Sequence, residues 1–366
     1  MIQTQFSGII NTASARDTPE TAVSDAVNVD ITDAKGLVAR LGRQTKLTTA
    51  VIDTAYTTQD GTCYVVSAGH LHRVDPSGAL VQLAPSSATR FCDYEGHLFS
   101  NDGLMVFHDQ VQSLVVPPPR TPNVVLTGGN RSAGLYTIVC TSRNKDGRES
   151  GTSYPVTVEL SSPGDILVQP LGNDAATQEI YMTDVNSTVF FNTRSGQRIS
   201  PSLVNSATFD AYSASSVAFY DSSLFYAVRL GDYSAVFFSD PFQYHLFGTD
   251  SSYFVVPGLI DCMVGTLDGI VIGTGEAIYV YTRDGLSKVS SYGVVPGQSV
   301  VKSPTGKVYA YTPYGMCSLF PFEELTLREV SLPSGSVCRT MYVLHGGAPR
   351  IIAVHDGYGN AANRFN

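Results

Sequence analysis

Seven histidines and several neighbouring carboxylates give this chain the raw material for metal binding or acid–base catalysis. His70-Leu71-His72 puts two imidazoles on one side of an extended segment, the spacing of a ligand pair, because side chains repeat every two residues along a strand. No third ligand follows at a suitable spacing, so the pair reads as surface histidines. His97, His108, His245, His345 and His355 are isolated and read as satisfied polar groups. Ser299-Val300-Val301-Lys302 has the S-x-x-K spacing of a Ser/Lys hydrolase but none of its companion motifs, and reads as a chance match. Asp25, Asp30 and Asp33, Asp93 and Glu95, and Glu323-Glu324 could supply the two carboxylates of a glycosidase, yet each group sits in turn-like sequence and reads as solvated. Asn144-Lys145-Asp146-Gly147-Arg148-Glu149 fails the spacing of a calcium loop and reads as a hairpin turn. Phosphate-binding and nucleophile-elbow motifs are absent, and Gly273-Thr274-Gly275 is a hairpin-turn signal. The expectation is a protein that is not an enzyme, with no cofactor and no metal.

The elements that position these residues are strands. Short runs of Val, Ile, Tyr, Phe and Thr are broken by Gly, Asp, Asn or Pro, and the best helix candidate, Pro19 to Ala26, is two turns long. Only 15% of the 366 residues are charged, 43% are hydrophobic and the net charge is −9. Such a chain can bury a large core and lacks a broad basic face for nucleic acid or an anionic membrane. No apolar run suits a membrane helix, and the first residues lack the pattern of a secretion signal, so synthesis and folding in a cytoplasm are expected. Cys63, Cys92, Cys140, Cys262, Cys317 and Cys338 are widely spaced, without a CxxC pair, and read as reduced core residues.

A hairpin pattern recurs, with starts at Cys63, His97, Leu224, Gly269, Lys307 and Met341. Apart from one long interval, the starts are 34, 45, 38 and 34 residues apart, the spacing of propeller blades. The long interval, from His97 to Leu224, opens on the stiff segment Val116-Pro117-Pro118-Pro119 and contains four further strand-like runs. Removing about 90 residues restores the period, and that length is close to a fibronectin- or immunoglobulin-like sandwich. The expected fold is all-β: a β-propeller of about five to seven blades carrying an inserted β-sandwich. Residues 1–116 are the N-terminal arm and first blades, 117–213 the sandwich and 214–366 the remaining blades. Gly36 to Arg43 is the candidate strand for closing the ring. Absence of Trp argues against a WD40 propeller.

One segment combines aromatics with little charge: Ser239-Asp240-Pro241-Phe242-Gln243-Tyr244-His245-Leu246-Phe247-Gly248. Interface cores favour aromatic residues and exclude charge, so Phe242, Tyr244 and Phe247 are interface candidates, against the alternative of rings tucked into their own domain. From Asp25 to Gly42 the chain resembles the opening of the β-propeller tail nozzle or hub proteins of short-tailed bacteriophages, in which an apolar-Asn-apolar-Asp strand and a Gly turn lead to an Arg-x-Gly close. Gly8-Ile9-Ile10-Asn11, the Lys145-Asp146-Gly147-Arg148-Glu149-Ser150-Gly151 stretch and the Phe238-Ser239-Asp240-Pro241-Phe242 turn follow the same order. Leu41 stands where such proteins have a proline, and Ala39 where a second arginine is common.

The resemblance implies a structural component of the virion tail, made in the host cytoplasm. Six copies would form a ring beneath the portal and its adaptor ring, with Asn28, Asp30 and Arg40 as further interface candidates. Tail fibres or spikes and a plug protein would be further partners, with no stable insertion into a membrane. DNA would pass without specific binding, so the wall of the passage should be neutral to acidic. The competing expectation is a carbohydrate-binding or polysaccharide-degrading propeller of a virion or cell surface, which needs converging Asp, Glu, Arg and Tyr.

Overall fold

The structure is a computed structural model that describes residues 51–114, 116–171, 178–199, 206–207, 214–248, 252–298, 300–319, 322–325, 337–345 and 348–355, and short strands before residue 40. The described residues contain no helix; the fold is all-β, as expected. Ala22–Val23, inside the helix candidate, is instead a strand paired in parallel with Gly8–Ile9, the β-branched valine suiting extended backbone. The rest of that candidate lies outside the described residues.

Six sheets follow one another, and most are antiparallel meanders of four strands. Sheet A comprises Thr54–Thr57, Cys63–Ser67, His70–Val74 and Leu80–Pro85, and sheet B comprises Phe91–Tyr94, His97–Ser100, Leu104–Phe107 and Gln110–Ser113. Sheets C and D are described below. Sheet E is built on Ala214–Tyr220, Ser223–Leu230 and Tyr233–Asp240, the last pairing with both Gln243–Gly248 and Tyr253–Pro257. Sheet F runs Ile260–Gly265, Ile270–Thr274, Ile278–Thr282 and Gly285–Ser290, and sheet G runs Val300–Lys302, Val308–Thr312, Gly315–Ser318 and Glu323–Glu324. Sheet H joins Gly297–Gln298, Cys338–His345 and Ala348–His355. The recurrent hairpins of the sequence are all present as paired strands. At the predicted Gly273-Thr274-Gly275 turn the chain reverses one step later, because Gly273 itself pairs with Ile278.

Each of these sheets packs its apolar face on the next. Leu71 and Val66 of A meet Phe91 and Leu98 of B, and Phe99 of B meets Val217 and Leu224 of E. Phe225 and Val236 of E meet Ile270 and Ile272 of F, while Val271 and Ile278 of F meet Val308 and Ala310 of G. Tyr311 of G meets Cys338 of H. A sheet held between two others must be apolar on both faces, which is why Ile270-Val271-Ile272 is a continuous hydrophobic run instead of an alternating one. Tight turns connect the strands: Glu95-Gly96, His108-Asp109 and Asp221-Ser222 have positive φ at both positions, the geometry that matches strand twist.

Sheets C and D come between B and E in the chain. Sheet C is the pair Arg120–Arg131 and Gly164–Leu171, and sheet D is ordered Val156–Leu160, Gly134–Ser142, Gln178–Thr183, Phe190–Asn192. They pack on each other, with Val124, Ile166 and Val168 against Tyr136, Ile138 and Met182. B meanwhile packs directly on E. The Asn144–Arg148 segment is the predicted hairpin turn: Gly147 has φ +80°, and the Asn144 side-chain oxygen accepts from the Asp146 and Arg148 amides.

Candidate functional site

The first strands of sheets B, E, F and G are neighbours. Gly265, at the end of the first strand of F, lies so close to the first strand of E that a Cβ there would sit 1.7 Å from the Phe219 carbonyl oxygen. Lys302, at the end of the first strand of G, donates to the Gly265 carbonyl oxygen at 2.9 Å. Arg90, just before the first strand of B, donates from Nε and Nη2 to the Asp261 carbonyl oxygen, both at 3.2 Å, and from Nη2 to that of Gly297 at 2.8 Å. One guanidinium thus ties B to F and H across 207 residues of chain. The planar five-donor fork of arginine allows this; a lysine ammonium lacks it.

Arg90 and Asp261 at this junction are half-buried, while Lys302 reaches it from an exposed position. Burial pushes the Asp261 carboxyl up, opposed by Arg229 and Arg90, and burial pushes the Lys302 ammonium down, opposed by Asp93 and Cys92. Asp93 is held by the Tyr56 hydroxyl at 2.6 Å and the Gln59 amide at 3.0 Å. These polar groups are engaged in joining sheets.

The hairpin from Ser239 to Gly248 divides into three environments. Phe242, at its tip, is 70% exposed, has φ +60°, and donates its amide to the Ser222 carbonyl oxygen at 2.9 Å. Tyr244 is half-buried and meets Phe99 and Phe219 edge-on, with ring centroids 5.2 and 5.7 Å apart. Phe247 is buried in the chain's own core, edge-on to Tyr226 at 5.3 Å, and this corrects its reading as an interface residue. The sheet E interior is apolar enough to take the ring, so the tucked-in alternative holds there. Between these residues, Leu246 packs with Val139, Tyr181 and Ile199, and His245 sets Nε2 3.0 Å from the Glu149 carbonyl oxygen. Nε2 therefore carries the proton in the neutral ring. Burial lowers the His245 pKa, the Glu149 carbonyl opposes the shift, and nearby Arg148 adds to it. Arg148 also donates to the Ser113 carbonyl oxygen at 2.7 Å, so this strand and the 143–150 hairpin form a seam joining sheets B, D and E.

The other sequence candidates are dispersed. Asp30 belongs to a strand in which it pairs with Val38, but its side chain, together with all of Asn28 and Arg40, lies outside the described residues. The Gly36 to Arg43 closing strand is described only at Leu37–Ala39, which pairs with Val29–Ile31. His70 and His72 each set Nδ1 3.0 Å from the carbonyl oxygen two residues earlier, and no group of three metal-ligating side chains occurs among the described residues. Ser299 is outside the described residues. No disulfide joins any of the six cysteines; four are buried and two half-buried. Among the described residues no helix is long and apolar enough to cross a membrane.

Sequence reasoning missed the Arg90 junction and a cluster of Tyr292, Tyr314 and Phe322 beside Glu324. Each joins residues distant in the chain, and no local spacing marks them.

No known protein family and no curated protein matches this chain. Among solved structures, it is similar to the extracellular domain of a hybrid two component system from B. thetaiotaomicron, at 12% identity and a TM-score of 0.30 over 84% of this chain. The match spans only 35% of that protein's chain. The Dos1 propeller is similar at 8% identity and a TM-score of 0.35, over 86% of this chain and 77% of that one. AztD from Citrobacter koseri is similar at 14% identity and a TM-score of 0.31, over 83% and 89% of the two chains. Likenesses this weak carry no functional inference, and the description of the fold rests on the chain's own sheets.

Proposed function

We propose that this protein is a structural component of a short-tailed bacteriophage tail, a nozzle or hub subunit that surrounds the path of the ejected genome. In this reading sheets A, B, E, F, G and H are the blades of a β-propeller, and sheets C and D are a fibronectin-like sandwich inserted between its second and third blades, within residues 117–213. The observation that carries the architecture is the direct packing of B on E, with C and D packed on each other outside that series. Arg90, reaching from the second sheet to the sixth, supports a closed ring of blades. Such a body buries its sheet edges and resists deformation, which suits a part under the pressure of a packed genome.

Copies, six to a ring, assemble beneath the portal and adaptor, and Phe242 is the contact residue that the sheets leave most exposed in the aromatic hairpin. Tail fibres or spikes and a plug protein are further partners. The net charge of −9 supports a passage that DNA crosses without being held, since each wall cation would retain a phosphate. The polar groups at the first-strand junction are committed to one another and to backbone carbonyls, which supports a role without catalysis.

Mass measurement of the purified chain, alone and with portal and adaptor proteins, tests the reading, with imaging of any rings formed. Rings that bind the adaptor and have a neutral or acidic lumen are expected. A chain that stays monomeric with its adaptor, or a lumen lined by Lys and Arg, overturns it.

A further inference from the structure

We propose that the unit formed by sheets C and D is held to sheets B and E by a latch that opens when His245 takes up a second proton, freeing the unit to move with its own core intact. C and D share a core around Ile138, Ile166 and Met182, and among the described residues no strand of either pairs with a strand of another sheet. The seam is therefore held by side chains and not by a backbone ladder. Such a joint opens at lower free-energy cost than the cores on either side of it.

The seam has an apolar and a polar part. Leu246 of sheet E packs with Val139, Tyr181 and Ile199, and beside it His245 donates from Nε2 to the Glu149 carbonyl oxygen at 3.0 Å. That carbonyl is a fixed partner. The Glu149 carboxylate accepts from the Thr141 hydroxyl and from the Tyr181 hydroxyl at 2.7 Å, and pairs with Arg143 at 2.9 Å, while the Ser142 amide donates to Ser150 Oγ at 2.8 Å. Successive residues of a strand face opposite ways, so the neighbours of the seam residues are in other cores: Phe247 in that of B and E, Met182 in that of C and D. Opening the seam bares Leu246 and Tyr181 and leaves Phe247 and Met182 covered.

Protonation loads this joint with charge. The neutral ring satisfies the Glu149 carbonyl through Nε2–H; a second proton, on Nδ1, adds a cation to a half-buried seam near Arg148. The acids of the hairpin and of sheet D are already committed, Asp146 to Arg148 at 3.5 Å, Glu149 to Arg143, and Glu179 to Asn192 at 3.0 Å and Arg143 at 3.9 Å. Exposed Arg198 adjoins Ile199, and the remaining acids nearby are Asp240 on the same hairpin and Glu95, whose charge acts on Tyr244. Burial lowers the His245 pKa, and opening returns the ring to water and to its ordinary value of 6.5. The open fraction thus rises as the pH falls through this value, by at most about 10-fold per pH unit, and levels off below the pKa of the closed seam.

Hydroxyl-radical footprinting of the full chain between pH 7.5 and 5 tests the latch, with modification read residue by residue by mass spectrometry and normalised to Tyr154, which is 83% exposed. Modification of Leu246 and Tyr181 should rise at least ~3-fold at pH 5, with Met182 and Phe247 unchanged. His245→Gln keeps an amide able to donate to the Glu149 carbonyl and should abolish the rise. Should that variant misfold, the native chain still decides: the footprint must follow the protonation of His245, monitored through the NMR shift of its ring carbon Cε1. Equal protection of Leu246 and Tyr181 at both pH values overturns the proposal, as does exposure of Met182 and Phe247 along with them, which means unfolding. A response that persists in folded His245→Gln, or that titrates apart from the His245 ring, overturns it too. None of these results depends on ring assembly, so the latch and the tail reading fail separately.

Discussion

Sheet F and sheet C both contain runs of apolar residues and put them to different use. In sheet F, Ile270, Val271 and Ile272 are all fully buried, because sheet E covers one face and sheet G the other. In sheet C, Val124 faces Tyr136 and Ile138, while Val125 and Leu167, directly opposite each other, are 45% and 51% exposed. A strand between two sheets has no solvent face; a strand in a two-layer unit keeps one. The same residue type therefore carries different amounts of stability in the two regions.

That difference is tested first by deletion. Ile272→Ala should cost about 4 kcal/mol, the transfer term plus a cavity the flanking sheets cannot close, whereas Val125→Ala should cost under about 1 kcal/mol. Denaturant titration of both variants measures it, and equal losses would erase the distinction. Gly265→Ala should approach the first figure, at about 3 kcal/mol, because its methyl group would enter the space of the Phe219 carbonyl and force the first strands of E and F apart. Alanine at Gly128, where a Cβ meets nothing within 4 Å, is the matched control in sheet C.

Arg90 sharpens the comparison at the level of the whole series of sheets. Arg90→Met keeps much of the side-chain volume but strands the Asp261 and Gly297 carbonyls, and a loss of about 2–3 kcal/mol is expected. Arg90→Lys should recover only part of it, since one ammonium cannot reproduce the fork. Hydrogen exchange should show sheets F and H loosened in Arg90→Met, with the contact between C and D unchanged. Loosening confined to sheet B would mean that the guanidinium does not hold the later sheets.

The seam at His245 gives a smaller, pH-dependent effect. Burial holds the folded pKa below the ordinary value of 6.5, so the unfolded chain binds the proton more readily. The sign follows: the contribution of this residue to stability is intact above about pH 6.5 and is lost as the pH falls toward the folded pKa. The slope cannot exceed about 1.4 kcal/mol per pH unit for one proton. Thermal unfolding between pH 7.5 and 5 should show this slope in the native chain, and His245→Gln should remove that component while retaining an amide able to donate to the Glu149 carbonyl. Parallel profiles would exclude His245 as the source.

Much of this architecture is legible in the sequence, because turns and strand pairing are local. The hairpins at Cys63, His97, Gly269 and Lys307 carry their own Gly, Asp or Asn turn signals, and the interruption between His97 and Leu224 shows as a broken period. Burial across sheets is a different matter. Phe242 and Phe247 stand five residues apart in equally aromatic sequence, yet one caps a turn and the other fills the core beside Tyr226. Tyr292 and Phe322 are brought together by the stacking of F and G, which no spacing along the chain encodes. Pairing Ala22–Val23 with Gly8–Ile9 likewise depends on a partner strand, and a helix propensity read from one segment could not register it.

The smallest expected effect on the fold separates stability from assembly. A bulky residue in the left-handed region is unfavourable, and Phe242 occupies it at φ +60° with most of its ring in solvent. Glycine removes that strain but gives the unfolded chain more conformational entropy to lose on folding, so Phe242→Gly should leave stability within about 1 kcal/mol of the native chain. Phe247→Ala, by contrast, should cost about 3 kcal/mol or more. If the exposed ring serves a subunit contact, Phe242→Gly will weaken ring formation or adaptor binding at least ~5-fold in sedimentation velocity while the melting curve hardly moves. Unchanged assembly in a variant that melts normally would remove Phe242 from the contact surface.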